Sequence, residues 1–214
     1  YFHMTYAAQA VEKIGARALL GYAMFGSQGL GMVEETARFA AEYNGSANGR
    51  IRTIMAPHAP YTCDDDFLRA SAAAAQRLGL GVHIHVSENK QQTVASLRKR
   101  GVTPLQVLEQ VGILDLPTIL AHVCGATPED IRLMEKYPVG IAHAVKTYLK
   151  LGHKTAPIVE FATAGLAIGL ASDGAVSNST MNLWETLRLM ALTQKERTGM
   201  GEAMPIAQAL AIAT

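Results

Sequence analysis

Apolar and polar positions fall along this chain in blocks that read alternately as helix and strand. Tyr6 to Ile14 has a helical pattern closed by Gly15, and Ala16 to Met24 is a short apolar run that predicts a buried strand. Met32 to Tyr43 predicts a helix and Arg50 to Ala56 a second strand. Asp64, Asp65 and Asp66 supply the N-cap and first-turn carboxylates of a helix through Leu78, which Gly79-Leu80-Gly81 breaks. Val82 to Val86 is a third strand, Thr93 to Arg100 and Pro104 to Val111 are helical pieces, and Thr118 to Ala121 is a fourth strand. Thr127-Pro128-Glu129-Asp130 opens a helix that stops before Pro138, with Pro at its first position and an acid completing a capping box. Val139 to Ala142 is a fifth strand. Helix Ile158 to Ala164, strand Ala167 to Ala171, helix Met181 to Lys195 and a last helix from Pro205 complete the pattern.

Strands that are apolar throughout and alternate with helices imply parallel strands covered on both faces, so the fold class is α/β. The Gly-rich turn of a dinucleotide fold is missing. Six βα units are too few for a closed eight-stranded barrel, so either two units are missing or the sheet is open.

Composition narrows this further. With 214 residues, 49% hydrophobic and 17% charged, the chain suits one well-buried domain and excludes disorder. Nineteen basic against eighteen acidic residues leave a net charge of +1, which gives no support to nucleic-acid binding. Arg98-Lys99-Arg100 reads as a solvated helix end that complements the helix dipole. Cys63 and Cys124 have no framework spacing, which fits a reducing cytoplasm. No apolar run reaches the roughly 18 residues of a membrane span. A first residue Tyr1 and a last residue Thr214 inside a helical pattern read as a segment of a longer protein.

The chain's polar groups then fall in one telling place. The second strand runs into His58, the third through His83 and His85 into Ser87-Glu88, the fourth into His122, the fifth into His143, and the sixth into Ser172-Asp173-Gly174. In α/β barrels the C-terminal rim of the strands is where chemistry is assembled, and in open sheets it is the binding edge. A single His beside a strand is more often a hydrogen-bonded structural residue than a ligand. Five polar deliveries in register point instead to a metal site, since imidazole and carboxylate suit Zn²⁺. His83 and His85 share a strand face, and His85, nearer the strand end, is the better ligand. Glu88 lies just past the strand, where a general acid/base can reach a bound water. His3 and His153 read as surface or loop residues, and Trp184 with Met181 and Leu187 as a helix core face. The cysteines lack the P-C-x-x-C spacing of the cytidine-type deaminases.

Pro57-His58-Ala59-Pro60-Tyr61-Thr62-Cys63, His83-Ile84-His85-Val86-Ser87-Glu88, Ala121-His122 and Leu170-Ala171-Ser172-Asp173-Gly174-Ala175-Val176-Ser177-Asn178 together resemble the amidohydrolase superfamily. Within it they look most like the 5-methylthioadenosine/S-adenosylhomocysteine deaminases and related chlorohydrolases, over essentially the whole chain. The resemblance implies a metal-dependent hydrolase barrel of the TIM (β/α)₈ type, with residues 1–214 carrying strands three to eight. It implies Zn, or another divalent metal such as Fe, held by His85 and Asp173. Glu88 would carry the proton, His122 and Asp173 would orient the water, and His58, Glu88 and Asp173 would touch the substrate. That substrate would be a small heterocycle bearing an amino group, adenosine-derived for preference. The alternatives are a chlorohydrolase or other cyclic amidine hydrolase of the same superfamily, and a non-catalytic barrel fragment. A homo-oligomer stays open; nucleic-acid and membrane partners are not expected.

Three departures accompany the resemblance. The family's first-strand His-x-His pair is missing and so is its small β-sandwich, so this segment alone is expected to be inactive. Shortly after its seventh strand the family usually carries His-Asn-Pro with Ser-Asn, where this chain, after its fifth, reads His143-Ala144-Val145-Lys146-Thr147-Tyr148-Leu149-Lys150-Leu151.

Overall fold

The computed structural model describes residues 2–214; Tyr1, where the family resemblance begins, lies outside them. The elements run α1 (Met4–Ile14), β1 (Ala18–Leu20), β2 (Ala23–Met24), α2 (Gly31–Tyr43), α3 (Ser46–Gly49), β3 (Ile51–Thr53), β4 (Ala56–Pro57), α4 (Asp65–Leu78) and β5 (Val82–Val86). There follow α5 (Lys90–Arg100), α6 (Pro104–Gln110), β6 (Thr118–His122), α7 (Pro128–Met134), β7 (Val139–His143) and α8 (Val145–Lys150). The chain continues through α9 (Ile158–Thr163), β8 (Ala167–Leu170), α10 (Ala175–Asn178), α11 (Leu183–Thr198) and α12 (Ile206–Ala213). They form two compact units, residues 1–85 with 106–119 and residues 86–105 with 120–214.

In the first unit β1 pairs with β3 and β2 with β4, all parallel. The first expected strand is therefore split in two. Gly21 marks the break: a Cβ there would stand 3.0 Å from both the Ala56 Cβ and the Ile54 Cγ2, so the chain turns where a side chain cannot fit. Asp64 caps α4 by accepting from Phe67 N at 2.8 Å, and Gly79 closes it in the left-handed conformation, as the sequence signals predict. Phe67 and Leu68 of α4 are buried, as are Met24 of β2, Met55, and Val82 and Ile84 of β5. Val82 N donates to the Pro117 carbonyl at 2.9 Å, which sets β5 beside the start of β6. In β5 Val82, Ile84 and Val86 are buried while His83 and His85 are half-buried, so the two histidines do share a face.

In the second unit β6, β7 and β8 are neighbours in that order. β7 and β8 are parallel, in register from Gly140 opposite Ala167 to His143 opposite Leu170. β8 departs from the expected burial. It ends the strand order, and Ala167 is exposed with Ile168, Gly169 and Leu170 only half-buried. The capping box of α7 forms, with Asp130 N donating to Thr127 Oγ1 and Thr127 N to Asp130 Oδ2.

The inward face of α11 is Thr186, Met190 and Gln194, not Trp184. Trp184 is 75% exposed and Met181 is exposed as well, because Asn182 caps the helix and turns the residues around it outward. Buried Gln194 accepts from Ile158 N and Val159 N and donates to the Ala156 carbonyl, closing the start of α9. The short helices α8 and α10 have no counterpart in the sequence expectation. Among the described residues no helix is long and apolar enough to cross a membrane.

Candidate active site

Each candidate residue stands at or just beyond the C-terminal end of a strand: His58 after β4, His85 in β5, Glu88 after β5, His122 at the end of β6 and Asp173 after β8. The backbone is unusual in the same places. Ser87, His122, Val123 and Asp173 all have positive φ, at 47°, 77°, 54° and 58°. A β-branched residue such as Val123 rarely adopts that conformation, and strain of this kind costs about 1–3 kcal/mol and gathers at functional sites.

In the first unit His58 and His85 come together, with ring centroids 4.8 Å apart. The His58 carbonyl accepts two hydrogen bonds from His85, one from the backbone N–H at 3.0 Å and one from Nδ1 at 2.8 Å. A carbonyl can only accept, so His85 Nδ1 carries the proton and Nε2 carries the lone pair. The His58 ring stacks on Phe25 at 4.5 Å, meets Tyr61 edge-on, and its Nδ1 lies 2.8 Å from Thr62 Oγ1. Thr62 donates its own hydroxyl proton to the Ala59 carbonyl at 3.2 Å, so His58 Nδ1 is the donor to it. Both imidazoles are thus oriented by a fixed acceptor on one nitrogen. Gly26 allows this arrangement, because a Cβ there would meet the Thr62 carbonyl oxygen at 2.8 Å.

In the second unit Glu88 follows the buried turn at Ser87. Glu88 N donates to Gln92 Oε1 at 3.0 Å, Asn89 caps α5, and the Ser87 carbonyl accepts from Gly125 N at 2.7 Å. His122 is buried and packs edge-on to Tyr148 at 5.6 Å. Tyr148 is buried too. Its oxygen accepts from Ala144 N at 2.8 Å, while the Cys124 thiol donates to the His122 carbonyl at 3.7 Å. Burial holds the Tyr148 phenol well above its ordinary range, and burial pushes the Cys124 thiol up to about 12. His143 lies against the same tyrosine, and burial, with the neighbouring His122 second, lowers its imidazole to about 3. Asp173 Oδ1 accepts from Gly174 N at 2.7 Å, and Asn178 pins the loop by donating to the Ser172 carbonyl and accepting from Met181 N. Lys146 ties α8 to the same segment through Thr180 and Glu185.

Two members of these clusters, Tyr148 and Gly125, carry no motif that sequence reasoning could seize. The only signal for Tyr148 was the departure of its loop from the family pattern. His153 is half-buried and lines a separate cleft of about 580 Å³ with Lys154, Glu160 and Arg197, away from every candidate residue. Both cysteines are free.

The family profile described as the amidohydrolase family matches residues 1–214. The chain belongs to the amidohydrolase family. As an amidohydrolase it is 38% identical, over 216 aligned residues, to a 5-methylthioadenosine/S-adenosylhomocysteine deaminase of Pelotomaculum thermopropionicum, covering all of this chain and 50% of that protein. Its fold superposes on a zinc-bound adenosine deaminase from Xanthomonas campestris with a TM-score of 0.90 and 25% identity, covering all of this chain and 50% of the other. An atrazine chlorohydrolase from Arthrobacter aurescens complexed with zinc matches at a TM-score of 0.90 and 24% identity, over 99% of this chain and 50% of that one. The amidohydrolase chain thus spans about half the length of the relatives it matches, and its parallel βα units are those of the TIM-barrel deaminases and hydrolases.

The donor chemistry fits a zinc ion. A metal-bound imidazole typically donates its other N–H to a carbonyl or carboxylate, which is the state the His58 carbonyl imposes on His85. Among the described residues no three His, Cys, Asp or Glu side chains gather closely enough to hold a metal by themselves.

Proposed function

We propose that the protein to which this chain belongs is a metal-dependent hydrolytic deaminase of an aminated heterocycle, with an adenosine derivative as the preferred substrate. One observation carries the proposal: His58, His85, Glu88, His122 and Asp173 stand in order at the C-terminal ends of β4, β5, β6 and β8, in a chain that matches the family throughout. In this reading β1 to β8 make up strands three to eight of a barrel, the split pairs β1–β2 and β3–β4 each counting as one strand. His85 and Asp173 are two of the metal's ligands. Zinc takes three or four protein ligands, so the segment alone is expected to be inactive. A divalent metal, zinc for preference, supplies Lewis acidity that makes water acidic near neutral pH.

The remaining work belongs to the chain's own side chains. Asp173 and His122 orient the attacking water. Glu88 takes a proton from that water and gives it to the ring nitrogen next to the amino-bearing carbon. Once the carbon–oxygen bond has formed, Glu88 takes the remaining proton of the added hydroxyl and passes it to the amino group, so that the carbon–nitrogen bond breaks and ammonia leaves as the carbonyl forms. His58, fixed by Thr62, contacts the heterocycle. The free cysteines fit a cytoplasmic setting. In the full-length protein Glu88→Gln should keep the metal and lose at least a hundredfold in ammonia release; near-normal turnover would rule the role out.

A second reading has its own support in the likeness to the atrazine chlorohydrolase. Chloride release from a chlorotriazine, with no ammonia from adenosine derivatives or guanine, would favour it. Loss of stoichiometric metal in the full-length protein would favour a non-catalytic fold.

A further inference from the structure

Among the histidines that the strands deliver, His143 has no part in the roles above, and its surroundings call for a partner. It closes β7, is fully buried, and neither ring nitrogen has a hydrogen-bonding partner among the described residues. A neutral imidazole carries one donor and one acceptor. Burying both unpaired costs free energy that an apolar side chain of similar volume would not. Packing alone therefore gives no reason for an imidazole here.

The ring is also held in place. Tyr148 lies edge-on to it at 5.3 Å and, on the same helix, edge-on to His122 at 5.6 Å. The Tyr148 oxygen is fixed by Ala144 N. His143 thus shares one rigid neighbour with His122, one of the candidate residues. We infer that His143 is a further substrate-contact residue, offering its N–H and lone pair to the polar edge of a planar nitrogen heterocycle bound beside His122, with Tyr148 as the positioning residue for both imidazoles. An aminated ring matches that offer, because its amino group donates and its ring nitrogen accepts. The inference rests on the deaminase reading and adds a specificity element to it.

The test uses the full-length protein and its His143→Leu and His143→Asn variants, with metal content checked in each. Melting temperature is read alongside kcat and KM for ammonia release from 5′-methylthioadenosine. His143→Leu should melt no lower than wild type, yet lose at least tenfold in kcat/KM, chiefly through KM. His143→Asn, which keeps a donor and an acceptor, should recover part of that loss. A His143→Leu protein that melts lower but keeps wild-type kcat and KM would make His143 structural and overturn the inference. Wild-type kinetics in both variants would overturn it and leave the deaminase reading intact. A wild type that releases no ammonia would sink that reading, and the inference with it.

Discussion

Adding one methyl group at Gly125 should disturb the candidate proton carrier without touching it. Gly125 is buried just past β6, where its N–H bonds the Ser87 carbonyl at 2.7 Å and its carbonyl accepts from Thr93 Oγ1 at 2.8 Å. A Cβ there would overlap the Asn89 carbonyl oxygen and lie 2.7 Å from both the Asn89 carbonyl carbon and Thr93 Oγ1. The obstacle is backbone, and Asn89 is fixed as the cap of α5, so the segment around Glu88 has to move. Overpacking of this kind costs about 1–3 kcal/mol. In a domain of this size each 1 kcal/mol lowers the melting temperature by roughly 2–4 °C. Gly125→Ala should therefore melt at least 2 °C lower by circular dichroism. In the full-length protein, where small misplacements at a reacting centre cost up to about a hundredfold, it should lose at least tenfold in turnover. Gly31→Ala is the control, because nothing lies within 4 Å of a Cβ at Gly31. If Gly125→Ala matched Gly31→Ala in both stability and turnover, the packing argument would fail.

Gln194→Leu should cost about 1–3 kcal/mol in urea unfolding, because it removes the side chain's three backbone hydrogen bonds and leaves Val159 N without that acceptor, while Ile158 N keeps the Ala156 carbonyl. Acid should weaken the fold through His143. Its folded value of about 3 lies below the ordinary 6.5, so the native state binds fewer protons, and the stability is full above about pH 6.5 and lost as pH falls toward 3. The loss approaches about 1.4 kcal/mol per pH unit, and His143→Leu should flatten that part of the curve measured by urea midpoints between pH 7 and 5. Cys124, with its thiol pushed up to about 12, should resist iodoacetamide at pH 8 in the native state and react in urea; native alkylation detected by mass spectrometry would contradict its described environment.

The parts of the fold legible in the sequence were those with local causes. Asp64 and Gly79 at the ends of α4, and the Thr127–Asp130 box on α7, are short-range hydrogen-bond devices, and each formed where its residues stand. What escaped depends on contacts distant in sequence. The strand from Ala16 to Met24 reads as one apolar run, yet Gly21 is shaped by Ile54 and Ala56 on a strand more than 30 residues later. The apolar spacing of Met181, Trp184 and Leu187 reads as a core face, but the face that packs inward is Thr186, Met190 and Gln194. Two of those three are polar, and Gln194 earns its burial through three backbone partners on and before α9 that no periodicity reveals.

The candidate residues were legible for a different reason. In parallel βα folds the strand end is a local sequence event, where an apolar run meets a polar residue, and His58, His85, His122 and Asp173 each announce one. Their orientation was not legible. Which nitrogen of His85 bears the proton depends on the carbonyl of His58, 27 positions earlier, and no spacing rule connects the two. The stretch from His143 to Leu151 is the sharper case. Read against the family pattern it is only a departure, whereas in the fold it becomes α8 and sets Tyr148 against His122 and His143 while Lys146 reaches the segment after Asp173. The stretch thus braces two of the strand-end histidines and the segment after Asp173 with its own side chains. That makes it the element where substrate choice within the family has room to diverge while the reacting groups stay in place.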